Sequence, residues 1–428
     1  MFLNNKFINL YFFLLLFSLI IGAAAFNFAS IIFILRICFE LIKNKDFKYL
    51  KQKWFLSLLL LYIVFLISSV SSEYTEKIIL KNLLLIRYPI LILSIQYFIK
   101  IYKKNNLFLL SIFFTTLFVA FDSLVQYYFG FNLLGNTIDL TDTNRQRLTG
   151  VFGDEQIVGS FIVKFLCPAI LGSFLIFKKN YLTSFAFFIF MIFIILISQE
   201  RMPFITSLLI FFIIGLIILY QKKLKLFFVY STLAFIILAI TLIGDISLKK
   251  RYLSIFGTGG GIVKPTFDDS GNKKNINKIS DLLDVKISFK DSMWGAHFLT
   301  AVEIFKNNPL IGSGTRSFRY ECQKKEYEKI DSFSSKYRCS THPHNIYLEI
   351  FSENGFIGGF YFVIILLFFY YNQIKICIRT KNINHTFAVL GLFANLWPIA
   401  SMGSVYASMN IIIYSILFGY VFSISEEI

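Results

Sequence analysis

Long apolar runs recur along almost the entire chain, each separated from the next by a polar stretch. A helix that crosses a membrane needs roughly 17–25 predominantly apolar residues. The first run, Asn9–Leu41, is long enough for two spans, and Gly22 divides it. The other runs are Trp54–Val70, Ile78–Ile99, Leu107–Phe129, Gln156–Phe177, Tyr181–Ile197, Pro203–Tyr220, Leu226–Gly244, Asn345–Tyr371, Thr386–Met402 and Ser408–Phe422. The pattern predicts an all-α polytopic membrane protein with about twelve transmembrane helices.

The composition agrees with this prediction. Hydrophobic residues make up 56% of the chain and charged residues only 16%, whereas soluble domains average about 45–50% and about 25%. A net charge of +17 would suggest a nucleic-acid partner in a soluble protein, but lysines in short loops of a membrane protein fix its topology. We therefore expect membrane lipids, and no nucleic acid, among the partners.

The basic residues follow the even-numbered spans. They are Lys43, Lys45, Lys48, Lys51, Lys53, Lys100, Lys103, Lys104, Lys178, Lys179, Lys222, Lys223, Lys225, Lys375, Arg379 and Lys381. Because cytoplasmic loops are rich in lysine and arginine, both termini are predicted to be cytoplasmic. The chain then divides into nine spans in 1–245, a large periplasmic loop in 246–343 before helix 10, and three spans in 344–428.

The N-terminus allows a second interpretation. Lys6, the apolar run after it and the small residues from Gly22 are typical of a signal peptide with a cleavage site. The apolar run continues at once into Phe26–Leu41. This continuity favours an uncleaved helical hairpin.

Two of the five cysteines, Cys322 and Cys339, lie 17 positions apart in the predicted outer loop. An oxidising compartment makes a disulfide plausible, and two unrelated thiols are the alternative. We favour the disulfide, because it would brace the segment that leads into His342 and His344.

Two of the four histidines occur together at the mouth of the tenth predicted span, in Ser340-Thr-His-Pro-His-Asn-Ile. Gly355 is eleven residues after His344, close to three helical turns, so both are expected on one helix face. Gly355 and Gly359 have a spacing that lets a second helix approach closely. His344 is a candidate general base, because imidazole titrates near neutral pH, with His342 as a partner or only a neighbour. The alternative is a pair of interfacial histidines that cap a helix.

Arginines on the predicted outer side depart from the topology rule. They are Arg145, Arg147, Arg201, Arg316 and Arg319. Guanidinium groups match phosphate oxygens bidentately, so these residues predict a site for an anionic lipid phosphate. Contacts with lipid head groups or ion pairs, for example with Glu200, are the alternative.

Lys81, Arg87, Asp122 and Lys164 are charged residues inside predicted spans, where charge is costly and usually faces a cavity or a partner. Arg87 could bind a lipid phosphate or pair with Asp122. A transporter is the second function that these residues suggest, but the halves of the chain show no symmetry. The sequence has no HExxH, Cys/His metal or Walker motif, which predicts chemistry without a metal or another cofactor.

Several motifs together resemble bacterial O-antigen ligases, a superfamily that also includes O-antigen polymerases and protein O-glycosylating enzymes. His344-Asn345, followed by Gly355 and Gly358, resembles the family's His-Asn…Gly-x-x-Gly pattern. Trp294–Phe318 resembles the family segment around Asn-Pro-Leu-x-Gly-x-Gly, and Arg147–Phe161 and Ser198–Phe204 resemble its two arginine-bearing segments.

The resemblance implies a GT-C-like, metal-independent, inverting glycosyltransferase of the bacterial inner membrane. Its donor would be a glycan on undecaprenyl pyrophosphate, and its acceptor a lipid A–core sugar, a growing glycan or a protein, at the periplasmic face. His344 would be the base, with Asn345 beside it. Arg147, Arg201 and Arg316 would hold the pyrophosphate. Near Trp294 the family often has an arginine, and His297, Arg251 or Arg316 would take that role here.

Overall fold

The computed structural model describes residues 5–138, 146–178, 180–220, 224–253, 289–330, 332, 335–400 and 403–425. In these ranges the chain is helical, and its one β-bridge joins Phe131 to Thr137. The helices are α1 (Asn5–Ile21), α2 (Ala23–Asn44), α3 (Lys53–Val70), α4 (Thr75–Leu83), α5 (Arg87–Tyr102), α6 (Asn105–Phe129), α7 (Val158–Ile176), α8 (Tyr181–Ile197), α9 (Arg201–Tyr220), α10 (Leu224–Gly244), α11 (Ile246–Leu253), α12 (Met293–Asn307), α13 (Phe318–Glu321), α14 (Ile346–Thr380), α15 (Ile383–Asn395) and α16 (Ser408–Ser425).

Within the described part of the chain, eight helical segments are long and apolar enough to cross a membrane. They are 23–44, 53–70, 75–102, 105–129, 158–176, 201–219, 346–380 and 408–425. Shorter apolar helices occur at 8–21, 181–197 and 231–241. A helix satisfies its backbone hydrogen bonds internally, which is why apolar runs in lipid fold this way. Over the residues that the structure describes, the protein is an all-helical, polytopic membrane protein.

The segment 386–402, predicted as a span, differs most from its prediction. The helix there, α15, ends at Asn395. Pro398 follows three residues later and disfavours helical geometry for Trp397. A helix of 13 residues is about 20 Å long, which is shorter than the roughly 30 Å hydrocarbon core.

Helix α7 lies at the centre of the bundle and α3 at its edge. In the most apolar 18-residue stretch of α7, 78% of the residues are buried, against 22% in the corresponding stretch of α3. Helix α6 packs along α7, and α5 packs along α16. The helices alternate in direction, so α2, α7, α9 and α14 all begin at one end of the bundle. We call this end the upper end.

Side-chain caps determine where several helices begin. Asn180, Ser292, Asn345 and Asn382 each accept a backbone N–H from the first turn of the helix that follows. Asparagine and serine are preferred at this position, because their side chains satisfy donors that have no partner inside the helix. The cap at Asn345 sets the start of α14 directly after His344.

Candidate functional site

A cavity of about 880 Å³ opens at the upper end of the bundle. Its walls come from the α1–α2 turn (19–26), from α4 (77–81), from the α6–α7 connection (134–136 and 151–157), from 316–320 with 341–342, and from the α15–α16 connection with the start of α16 (403–410). Ligand pockets commonly measure about 300–1,000 Å³. The cavity can therefore hold a head group or a small saccharide.

The wall of this cavity is basic. Lys77, Lys81, Arg316 and Arg319 line it, together with one carboxylate, Glu155. Lys77 and Lys81 are exposed and lie four residues apart on α4, so they share a helix face. The excess of positive charge favours an anionic ligand, and the guanidinium groups match phosphate oxygens best.

The main chain around Arg316 is held by a buried glutamate. Arg316 has a φ of 67°, which is uncommon for a residue other than glycine. Its N–H donates to Oε2 of Glu353 at 2.6 Å, and the N–H of Phe318 donates to Oε1 at 2.9 Å. The Arg316 guanidinium donates from Nη2 to the carbonyl oxygen of Tyr406 at 2.6 Å. The hydrogen bonds of Glu353 therefore fix the backbone that carries Arg316 and leave its guanidinium to other partners.

Two guanidinium nitrogens of the residues that line the cavity have no hydrogen-bond partner in the described part of the chain. They are the buried Nε atoms of Arg316 and Arg319. Burial lowers the pKa of Arg316, while Tyr88 and Glu353 oppose this effect. Arginine stays protonated in proteins, and a buried donor without a partner is costly.

Helix α14 bends at Gly355, where φ is 62° and ψ is −165°. The main chain of segment 308–314 packs against this bend. A Cβ at Gly355 would lie 2.4 Å from the carbonyl carbon of Leu310, and one at Gly312 would lie 2.3 Å from that of Glu353. Only glycine permits this approach, which brings the segment that leads to Arg316 onto α14.

The prediction that His344 and Gly355 share one helix face is therefore wrong. His344 precedes the helix and has a φ of 60°, and the bend at Gly355 interrupts the helical register. The space beside Gly359 is occupied by the ring of Phe351 on the same helix. Gly355, which was expected to let a second helix approach, instead lets the main chain of segment 308–314 approach.

Asn345 is buried at the start of α14, and both the oxygen and the nitrogen of its side-chain amide make hydrogen bonds. Its Oδ1 accepts the N–H of Leu348 at 3.1 Å, and its Nδ2 donates to the carbonyl oxygen of Pro398 at 2.6 Å. These bonds join α14 to the α15–α16 connection. They position the wall of the cavity.

Three histidines and Trp294 form an aromatic cluster next to the cavity. The ring centroids of His342 and His344 lie 4.2 Å apart. His344 also lies 5.2 Å from His297 and 4.7 Å from Trp294. His342 lines the cavity, as does Arg316. Ring contact with His342 therefore places His344 beside the cavity.

The hydrogen bonds of the cluster define which nitrogens can accept. Nδ1 of His297 lies 3.1 Å from the carbonyl oxygen of Arg338. Because a carbonyl oxygen only accepts, Nδ1 carries the hydrogen, and Nε2 of His297 is left as an acceptor. Nε2 of His344 lies 3.3 Å from the hydroxyl of Ser340.

Both His344 and His297 are neutral at pH 7. Burial, with smaller contributions from His342 and His297, lowers the pKa of His344 to about 3. Burial also lowers the pKa of His297, against the opposing effect of its hydrogen bond to Arg338. A neutral imidazole has a nitrogen lone pair that can accept a proton from a hydroxyl group.

A second group of arginines surrounds Glu200. Nη2 of Arg147 lies 3.8 Å from Oε2 of Glu200 and donates to the carbonyl oxygen of Gln156 at 2.9 Å. Nε of Arg201 donates to the carbonyl oxygen of Arg251 at 3.1 Å. Burial and repulsion from Arg147 both lower the pKa of Arg251. We call these three arginines with Glu200 the Glu200 cluster.

The Glu200 cluster borders the cavity. Glu155 and Ile157, on either side of Gln156, line the cavity wall. Glu200 accepts the N–H of Gly159 at 2.5 Å and the hydroxyl of Ser160 at 2.5 Å, at the start of α7. Burial raises the pKa of Glu200, while Ser160, Arg147 and Gly159 oppose this effect.

Two intramembrane charges do not pair as predicted. Asp122 accepts from Nδ2 of Asn132 at 3.2 Å and from the N–H of Leu133 at 2.9 Å, so it holds the turn after α6. Arg87 donates instead to the hydroxyl of Tyr88 at 2.6 Å. Of the two alternatives for Arg87, the pair with Asp122 is wrong, because the turn after α6 takes the carboxylate.

Lys164 lies beneath the cavity. It is buried on α7, and its Nζ donates to Oδ1 of Asn410 at 2.5 Å. Asn410 itself lines the cavity. Lys164 thus adds a buried positive charge below the basic wall.

A disulfide joins Cys322 to Cys339. Nε of Arg338 also donates to the carbonyl oxygen of Cys322 at 3.2 Å. The two connections tie the segment after Arg316 to the segment that leads into His342. The disulfide thus links the arginine wall to the histidine cluster.

Arg145, predicted next to Arg147, lies outside the described residues, as does the segment 254–288. In the residues that the structure does describe, no group of three or more histidine, cysteine, aspartate or glutamate side chains could hold a metal ion.

Sequence reasoning missed Lys77, Glu353 and Tyr406 as site residues. Glu349 and Glu353 are four residues apart in a predicted span, and buried carboxylates in such helices are often functional. That spacing could have identified Glu353. Nothing in the sequence distinguishes Tyr406, which reaches Arg316 only through the fold.

The family model for O-antigen ligases matches residues 186–363. The matched segment extends from α8 into α14 and contains Arg201, Arg316, His342 and His344. No curated protein matches the chain. The resemblance to the O-antigen ligase superfamily is confirmed over this segment.

Proposed function

Since the family model for O-antigen ligases matches residues 186–363, we propose that the protein is a membrane glycosyltransferase of the ligase type. It transfers a glycan from undecaprenyl pyrophosphate to a sugar hydroxyl of lipid A–core. The observation that carries this proposal is the cavity, in which His342 and Arg316 line one space. A transferase for a diphosphate-linked sugar needs an acceptor for a proton and cations for the leaving group.

The charge distribution supports an active site on the periplasmic side of the inner membrane. The lower end of the bundle carries Lys43, Lys48, Lys100, Lys375 and Lys381 in or beside its connections. Cytoplasmic loops have this bias, so the upper end with the cavity faces away from the cytoplasm. Lipid-linked glycans and lipid A–core meet on that side.

The reaction follows from the two kinds of side chain. The acceptor hydroxyl attacks the anomeric carbon opposite the diphosphate, and the C–O bond to the diphosphate breaks with its electron pair. The hydroxyl proton passes to the paired imidazoles, in which we assign the base to His344. Arg316 and Arg319 offset the charge that develops on the diphosphate. The anomeric configuration is inverted.

Burial leaves the His344 ring unprotonated when the acceptor arrives. A base whose pKa lies far below the operating pH is weak, so the site must favour the imidazolium as the proton arrives. Negative charge on the departing diphosphate then favours the imidazolium that forms. Arg147 and Arg201 of the Glu200 cluster bind the more distant phosphate or the first sugar, and His297 and Asn345 position His344 and the cavity wall.

The test is glycan transfer by membranes that contain the His344→Ala variant. Removal of a general base typically costs about 10²–10⁴-fold in rate, and we expect a loss in this range with unchanged protein level. His342→Ala should cause a smaller loss. Normal transfer by His344→Ala would end the proposal.

The products distinguish the ligase from its relatives. Glycan on lipid A–core identifies a ligase, whereas longer chains that stay on the polyprenyl carrier identify a polymerase, and glycan on protein a protein O-glycosylating enzyme. Movement of the labelled donor across vesicles, insensitive to His344→Ala, would identify a transporter instead.

A further inference from the structure

Helix α4 contributes two lysines to the cavity that the proposed reaction does not use. Lys77 and Lys81 line the cavity and are exposed. Their spacing of four residues places both side chains on one face of the helix. Among the residues that the structure describes, neither lysine forms an ion pair. The charge of both ammonium groups is therefore left for a ligand.

Hydrogen bonds attach α4 and the turn before it to the segment that carries Arg316. Nδ2 of Asn82 donates to the carbonyl oxygen of Thr315 at 2.8 Å. The hydroxyl of Ser72 donates to the carbonyl oxygen of Ser313 at 2.6 Å. Because Asn82 is buried, water does not compete for its hydrogen bond. Helix α4 is therefore held in place beside Arg316.

Two tyrosines position Lys77 without neutralising it. The rings of Tyr74 and Tyr320 stack with their centroids 5.4 Å apart. Nζ of Lys77 lies 5.0 Å from the centroid of Tyr320 and 5.9 Å from that of Tyr74. An aromatic ring attracts an ammonium group but carries no net charge. Nζ of the neighbouring Lys324, in contrast, lies 3.0 Å from each of two carboxylates. The structure thus compensates the charge of Lys324 and leaves that of Lys77 to a ligand.

The positive charge of the cavity wall exceeds what the donor diphosphate needs. A diphosphate with an ester at each end carries one negative charge on each phosphate, and Arg316 and Arg319 balance these charges. Lys77 and Lys81 then face the single carboxylate of the wall, Glu155, so positive charge is left over. Such a surplus favours a second anion. A second anionic group in the same cavity belongs to the second substrate, which is the acceptor.

We propose that Lys77 and Lys81 form a subsite for a phosphate monoester on the acceptor, so that the acceptor is a phosphorylated saccharide. Two lysines on one helix face match the nearly two negative charges of a phosphate monoester better than the single charge of a carboxylate. Lysine is a compact charge on a flexible stem, so it tolerates an anion whose position varies between acceptors. The assignment to the acceptor rests on the proposed function, whereas the anion site rests on the two lysines, Tyr320 and the cavity.

The first measurement is binding without transfer. The full-length protein in an uncharged detergent is titrated with a soluble oligosaccharide that is cleaved from lipid A–core and carries phosphate monoesters, and with the same saccharide after a phosphatase has removed them. We expect the phosphorylated form to bind about tenfold more tightly, as two exposed charge pairs imply. The double variant Lys77→Gln/Lys81→Gln should remove this difference. Equal binding of both saccharides by the wild type would overturn the proposal.

The matched control is Lys306→Gln, at an exposed lysine of α12 that pairs with Glu303 at 2.6 Å and is not among the residues that line the cavity. This variant should bind both saccharides as the wild type does. Glycerophosphoglycerol, the head group of phosphatidylglycerol, should not displace the phosphorylated saccharide at equal concentration. Displacement would assign Lys77 and Lys81 to the head groups of membrane lipids and would overturn the proposal.

Transfer kinetics separate the acceptor from the donor. With the phosphorylated acceptor, Lys77→Gln/Lys81→Gln should raise KM for the acceptor about tenfold and leave KM for the donor as in the wild type. A raised KM for the donor alone would place the lysines at the diphosphate and contradict the proposal. Because the binding measurement needs no donor, phosphate-dependent binding without any glycan transfer would support the subsite, and only the proposed function would then fail.

Discussion

Two buried glutamates hold the arginines of this protein in different ways. Glu353 accepts the main-chain N–H groups of Arg316 and Phe318. Glu200 faces the guanidinium of Arg147 at 3.8 Å while it also accepts from the start of α7. Glu353 thus fixes the backbone of Arg316, whereas Glu200 partly neutralises the charge of Arg147.

This difference indicates that Arg316 and the arginines of the Glu200 cluster have different roles at the cavity. The guanidinium of Arg316 donates to a carbonyl oxygen, whereas that of Arg147 faces a carboxylate, so Arg316 keeps more of its charge for a ligand. We therefore expect Arg316 to act on the departing diphosphate, where charge develops. The Glu200 cluster, already partly compensated, should contribute to binding of the ground state.

The largest expected effect is the loss of the Arg316 guanidinium. Arg316→Gln should lower kcat by roughly 10²–10³-fold, the cost of removing one preorganised donor to a developing negative charge. Arg147→Gln should instead raise KM about tenfold with little change in kcat, because it removes a contact made equally in both states. Steady-state kinetics on the two purified variants measure kcat and KM. Equal losses of kcat in both variants would contradict the proposed difference between Arg316 and Arg147.

The next effect concerns the hydrogen bonds by which Glu353 fixes the backbone at Arg316. Glu353→Ala leaves two buried N–H groups without partners, at about 1–3 kcal/mol each, and should lower both stability and kcat. Glu353→Gln keeps one acceptor oxygen and should restore part of the kcat. Thermal unfolding and transfer rates, measured together, check this prediction. An inactive Glu353→Gln with full activity in Glu353→Ala would contradict it.

The disulfide should affect stability more than chemistry. Loss of the Cys322–Cys339 bridge in a double serine variant should cost about 2–4 kcal/mol of stability, seen as a lower Tm. Cys38→Ser, at an exposed free cysteine, is the matched control and should leave Tm unchanged. Equal Tm values for the double variant and the control would show that the bridge does not brace the two walls.

The smallest effect is the response of stability to pH. The folded-state pKa of His344 is lowered to about 3 from about 6.5, so the unfolded chain binds more protons in between. Its contribution to stability is complete above pH 6.5 and is lost as the pH falls toward 3. His344→Gln should weaken the decline of Tm over this window. An identical decline in the variant would place the cause elsewhere.

The helices were largely predictable, because each apolar run had to satisfy its backbone in lipid. The predictions failed where local geometry changed inside a run. Arg87 begins a new helix after a short turn at 84–86, and Pro398 follows soon after α15 ends. Such changes depend on neighbouring segments as much as on hydrophobicity.

For the site, the motifs identified His344 and Arg316, because imidazole and guanidinium have few uses at a membrane surface other than binding and catalysis. They could not identify Glu353, since its contact with Arg316 joins positions 37 apart across a bend at Gly355. A single sequence records which residues are present but not which distant segments the bend brings together.

The most direct test of the account is a structure of the protein with a bound, non-transferable polyprenyl diphosphate sugar. The account predicts the diphosphate oxygens within hydrogen-bonding distance of the Arg316 guanidinium, with the anomeric carbon facing His342 and His344. A diphosphate bound away from Arg316, or at the lower end of the bundle, would contradict it.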